Sequence, residues 1–83
     1  MNIFPNPGDG HFVVDLHCEG EEKMGIINVF NAIGQLIYER VVVINEGVIH
    51  YDVKLQNDAP DGIYFLKVMA NGKIYSGQII CQK

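Results

Sequence analysis

Ile63-Tyr64-Phe65-Leu66-Lys67-Val68-Met69, then Ala70-Asn71-Gly72, then Lys73-Ile74-Tyr75-Ser76-Gly77-Gln78-Ile79-Ile80-Cys81, is the stretch whose reading decides the fold. In the first run Tyr64, Leu66 and Val68 recur at every second position, the period of a strand and not of a helix. Asn71 and Gly72 both accept the positive φ that a type I′ turn demands, so a tight hairpin is expected there. Lys73 to Cys81 then reads as the returning strand.

The same period holds upstream. Phe12, Val14, Leu16 and Cys18 alternate with Val13, Asp15 and His17, which predicts a strand with its even residues inward. Glu19-Gly20-Glu21-Glu22-Lys23 is a polar turn. Gly25 to Phe30 is a second strand, with Ile27 and Val29 on one face. Asn31-Ala32-Ile33-Gly34 is a tight turn, because Asn31 can bond the backbone ahead of it and Gly34 tolerates positive φ. A strand from Gln35 to Glu39, extending through Val41–Ile44, follows. Asn45-Glu46-Gly47 turns the chain, and Val48 to Leu55 alternates Ile49, Tyr51 and Val53 against His50, Asp52 and Lys54. Gln56 to Gly62 is a loop that Pro60 and Gly62 should end sharply. No segment has a helical period. About seven short strands with turns between them predict an all-β, immunoglobulin-like antiparallel sandwich. Runs such as Ile63-Tyr64-Phe65-Leu66 are apolar on both faces, which fits either a covered central strand or a partner surface.

Eighty-three residues make one domain with a thin core. The net charge of −4 argues against nucleic acid as a partner and against electrostatic anchoring to an anionic membrane. No apolar run approaches the roughly 20 residues that span a bilayer. No signal peptide follows Met1, and the abrupt start at a Pro-Asn-Pro turn favours a piece cut from a longer exported protein, with Met1 an added start. Cys18 and Cys81 lack zinc-ligand spacing. They would pair as a disulfide if the first and last long strands lay side by side, and otherwise are two buried thiols.

Chemistry-bearing patterns are missing. His11, His17 and His50 sit on outward strand parity, where solvated histidines are the plain reading. Glu19, Glu21 and Glu22 lack the alternating oxygen pattern of a calcium loop. Ser76 is the only serine and has no sequence-placed His–Asp pair. No phosphate-binding loop or metalloprotease motif occurs. An enzyme is not expected, and no cofactor or metal is implied.

Four stretches in order carry a family resemblance. They are Ile3-Phe4-Pro5-Asn6-Pro7-Gly8-Asp9-Gly10 before Phe12; Ile27 to Ile37 containing Asn31 and Gly34; Tyr51-Asp52-Val53 followed by Ala59-Pro60-Asp61-Gly62-Ile63-Tyr64-Phe65-Leu66; and Asn71-Gly72-Lys73 leading to Ile79-Ile80. Together they resemble the type A C-terminal sorting domain of the type IX (Por) secretion system of Bacteroidetes. The resemblance covers Ile3 to Cys81 and makes Pro5, Asn6, Pro7, Gly10, Asn31, Gly34, Gly62, Tyr64, Leu66, Asn71, Gly72, Lys73, Ile79 and Ile80 the signature positions. It implies a domain attached to a larger secreted cargo that reaches the cell surface or the medium by way of the periplasm. It implies recognition by the outer-membrane translocon and removal by a sortase-like surface protease. The family often carries a lysine pair before the final apolar residues; Gly77 and Gln78 stand there, flanked by Lys73 and Lys83. The competing reading is an extracellular immunoglobulin-like module that binds carbohydrate or protein. A weak homodimer through an edge strand is also open, since a small sandwich leaves edges.

Overall fold

A computed structural model describes all residues from Met1 to Lys83. The chain forms seven strands and no helix: β1 (Asn2–Phe4), β2 (His11–His17), β3 (Met24–Phe30), β4 (Leu36–Val43), β5 (Val48–Lys54), β6 (Gly62–Ala70) and β7 (Lys73–Cys81). They make two antiparallel sheets, one of three strands in the order β1-β2-β5 and one of four in the order β4-β3-β6-β7. The β1–β2, β3–β4 and β6–β7 connections stay within a sheet. The β2–β3, β4–β5 and β5–β6 connections cross between sheets, giving an immunoglobulin-like sandwich.

Period-two alternation explains the core. Phe12, Val14, Leu16, Ile49 and Val53 face inward from the three-stranded sheet. Ile27, Val29, Tyr64, Leu66, Val68 and Ile79 meet them from the other. The turns are those their residues dictate. Asn71 (φ 53°) and Gly72 (φ 74°) form the β6–β7 turn, and Asn31 Oδ1 accepts from the amides of Ile33 and Gln35.

One strand was not expected from the sequence, and two points it left open are settled. The segment Asn2–Phe4, for which the sequence suggested no strand, is a short strand paired to β2, with Ile3 opposite Val14. The strand that starts near Gln35 does run on past Glu39, as one continuous element from Leu36 to Val43, joined to β3 through an irregularity at Val29/Phe30. Cys18 and Cys81 are free thiols. They do not pair, because they lie toward opposite ends of the sandwich. Cys18 follows the far end of β2, while Cys81 bridges Gly8 just before its start. Seven strand residues, roughly 23 Å, lie between these ends.

The outer surfaces of the two sheets differ in character. That of the three-stranded sheet carries His11, Asp15, His17, His50, Asp52 and Lys54. That of the four-stranded sheet is arranged in cross-strand rows. Val41, Ile26, Met69 and Ile74 form an apolar row, and Leu36, Phe30 and Phe65 form a second that ends in Gln78. Between them runs one polar row: Glu39, Asn28, Lys67 and Ser76.

Candidate recognition surface

The signature positions do not form a single patch; they hold two poles of the sandwich. The first pole gathers the chain start, the β3–β4 turn, the β5–β6 loop and the end of β7. Its centre is Asn6. The Asn6 side-chain amide donates to the carbonyl of Gln78 (3.0 Å), and its oxygen accepts from the amide of Ile80 (3.0 Å). A carboxamide has the same donor–acceptor pair as a peptide unit, so Asn6 occupies the open edge of β7 as a neighbouring strand residue would. Gly8 continues the pairing, its amide donating to Ile80 O (2.9 Å) and its carbonyl accepting from Gln82 (2.7 Å). Pro5 and Pro7 flank these contacts and limit the backbone freedom of the segment. Gly8 must be glycine, since a Cβ there would come within 2.8 Å of the Pro5 carbonyl oxygen. Gly10, at φ +103°, turns the chain into β2 and accepts from the Leu55 amide (2.9 Å).

Gly62 opens β6 at φ +145° and stands opposite Cys81. Tyr64, two residues on, is buried and opposite Ile79. Its hydroxyl donates back to the carbonyl of Pro60. This is the tyrosine-corner arrangement of immunoglobulin-like sandwiches, which pins the crossing loop to the strand it feeds. Burial pushes the Tyr64 hydroxyl pKa up, with smaller contributions from Cys81 and Asp61. It pushes the Cys81 thiol up as well, which disfavours the reactive thiolate. Lys83 closes the pole: its Nζ donates to the carbonyls of Asn57 (2.6 Å) and Ala59, and its amide to Asp61 Oδ1 (3.2 Å).

Asn71, Gly72 and Lys73 lie at the opposite pole. There Asn71 Oδ1 accepts from the Glu22 amide (2.8 Å), tying the β6–β7 hairpin to the β2–β3 turn. Leu66 is fully buried in the core, whereas Ile80 is exposed. At the fourth-stretch departure the glycine faces side chains from the start of the chain. A Cβ at Gly77 would approach Ile3 Cδ1 at 2.8 Å and Met1 Cε at 3.0 Å, so β1 lies over that position. Gln78 is exposed, and its carbonyl is the one that Asn6 holds.

Sequence reasoning assigned Asn6 to a stiff turn and missed its pairing with β7, 72 and 74 residues away. It also missed Gly8 and Lys83. The only local signal was an Asn held between two prolines.

His50 Nδ1 stands 3.9 Å from Asp15 Oδ1 on the polar outer surface. No group of three His, Cys, Asp or Glu side chains is placed to hold a metal ion. An open groove of about 930 Å³ runs beside β4 and the β5–β6 loop, lined by Ile33, Leu36, Tyr38, Arg40 and Pro60 among others.

No curated protein matches the chain. The family described as secretion system C-terminal sorting domain matches residues 2–82, a span that takes in both poles and every strand. The chain therefore belongs to the type IX secretion system C-terminal sorting domains, signals that direct a cargo protein across the outer membrane and are not a family of enzymes.

Proposed function

We propose that residues 1–83 act as a folded address, carried at the end of a larger cargo that passes through the periplasm, and that the translocon reads the pole where Asn6 meets β7. The observation that carries this reading is the clamp of Asn6 and Gly8 on Gln78, Ile80 and Gln82. The first and last signature stretches are thereby one surface, which exists only in the folded domain. The last hairpin, Ile63 to Cys81, supplies the strand that is presented. After passage, a sortase-like surface protease removes the domain from its cargo. A weak pairing of two copies through an edge strand would fall to β4 or β5, the long outer strands, since Asn6 and Gly8 occupy part of the β7 edge and β1 is three residues long.

The test is to fuse residues 2–83 to a periplasmic reporter in a host with the secretion system. The reporter is expected outside the cell, and deletion of Ser76 to Lys83 should trap it in the periplasm. Retention of the intact fusion, while another domain of the family exports the same reporter, overturns the reading.

A further inference from the structure

The outer surface of the four-stranded sheet is covered by no part of the chain. Met24, Val41, Val43, Ile63, Phe65, Met69 and Ile74 are exposed there although β3 and β6 are central strands. A single polar row interrupts it, and that row has one acid and one base. Glu39 lies on β4 and Lys67 on β6, with Asn28 of β3 between them. Two strand spacings, roughly 10 Å, therefore keep the opposite charges from pairing within one copy. In the orientation that satisfies its amide, Asn28 donates to Glu39 Oε2 at 2.8 Å. Lys67 rests its ammonium over the Phe30 ring at 5.7 Å.

We infer that this surface is a self-complementary interface for a second copy of the chain, packed sheet to sheet about a two-fold axis parallel to the strands and passing over β3. Such an axis keeps each row at its own height along the strands. Apolar rows then face apolar rows, and the polar row faces its own copy. It also exchanges β4 with β6, so Glu39 of each copy lies over Lys67 of the other, giving two ion pairs related by symmetry. An axis perpendicular to the strands would instead set Glu39 on Glu39 and Lys67 on Lys67. Sheets stacked this way sit about 10 Å apart with their strands within about 30° of alignment, the ordinary geometry of a sandwich. Three strand widths by five rows span roughly 14 by 27 Å. That is small by the standard of specific interfaces, so a reversible dimer is expected. This inference concerns the isolated domain and stands apart from how the translocon reads it.

The experiment is sedimentation of the 83-residue chain over a range of concentration, roughly 10 µM to 1 mM, as suits a small interface. A concentration-dependent dimer is expected. E39K and K67E each set like charges face to face twice, and each should weaken the dimer by roughly tenfold or more. The double variant E39K/K67E should restore it. F65E, on the neighbouring apolar row, should abolish it, and thermal unfolding of every variant checks that the monomer still folds. A chain that stays monomeric throughout overturns the inference. So does a dimer indifferent to K67E, which is what pairing through the β4 or β5 edge would give, or a double variant no better than the singles.

Discussion

Asn6 shows how one side chain can replace a strand. The edge of β7 offers the Gln78 carbonyl and the Ile80 amide, and the Asn6 carboxamide meets both at 3.0 Å. Alanine at this position leaves both groups to water. Each hydrogen bond contributes about 0.5–1.5 kcal/mol net. Asn6→Ala should therefore destabilise the domain by about 1–3 kcal/mol, a loss of roughly 5–20 degrees in melting temperature for a chain of this size. The more specific readout is hydrogen exchange: the Ile80 amide should lose protection, while the amides of β3 in the middle of the same sheet should not. Uniform loss, or none, would show that Asn6 does not cap the edge. Gly8 complements it, because a Cβ at that position would lie 2.8 Å from the Pro5 carbonyl oxygen.

At the scale of elements, the sandwich has two seams, and they are closed by different means. On one side the segment from Asn6 to Gly8 joins β7 to the start of β2 through backbone and amide contacts. On the other, β4 and β5 meet through side chains: Tyr38 packs toward Tyr51, and the Arg40 guanidinium lies 4.6 Å from the Tyr38 ring centre. The Tyr38 hydroxyl is pushed up to about 12, chiefly by burial and then by the Tyr51 hydroxyl, with Arg40 opposing. A pKa raised on folding means that the neutral phenol is favoured in the folded state. Its contribution to stability is then complete below the ordinary value of 10.0 and is lost as pH climbs through about 12. Denaturant titrations should thus show this contribution unchanged from neutral pH to about 9.5 and falling above it. Tyr51→Phe removes the partner hydroxyl and should move the Tyr38 phenolate transition downward, as followed by ultraviolet absorbance. An unmoved transition would mean that the two tyrosines do not interact. The strands themselves were legible from alternation, as Phe12, Val14 and Leu16 show by their burial. The groove beside β4 was not, because it depends on which strand ends at an edge, and alternation is silent on that.

For the whole molecule, the arrangement of sheets decides the fate of the two cysteines. Cys18 and Cys81 are both buried, yet lie toward opposite ends of the core. The folded domain should resist alkylation at neutral pH. Unfolding without any reductant should expose two thiols, seen in mass spectrometry as the addition of two labels. A product without labels would mean that the cysteines had been oxidised to a disulfide.

The amino-acid sequence determined, by itself, everything that rests on neighbours along the chain. The two-residue period set the strands, Asn71-Gly72 and Asn31 set their turns, and the ordered motifs identified the family that the match over residues 2–82 establishes. Burial of one strand face is a local consequence of that period, so the inward faces of β2, β3, β5 and β6 were readable, from Phe12 to Val68, while those of β4 and β7 were not. What only the tertiary structure decided are contacts between residues far apart in sequence: Asn6 on β7, Lys83 on the β5–β6 loop, the separation of Cys18 from Cys81, and the cross-strand rows that leave Glu39 and Lys67 apart. The physical reason is that pairing order and register fix these contacts. A strand's own alternation specifies which face is buried, but not which strand lies beside it.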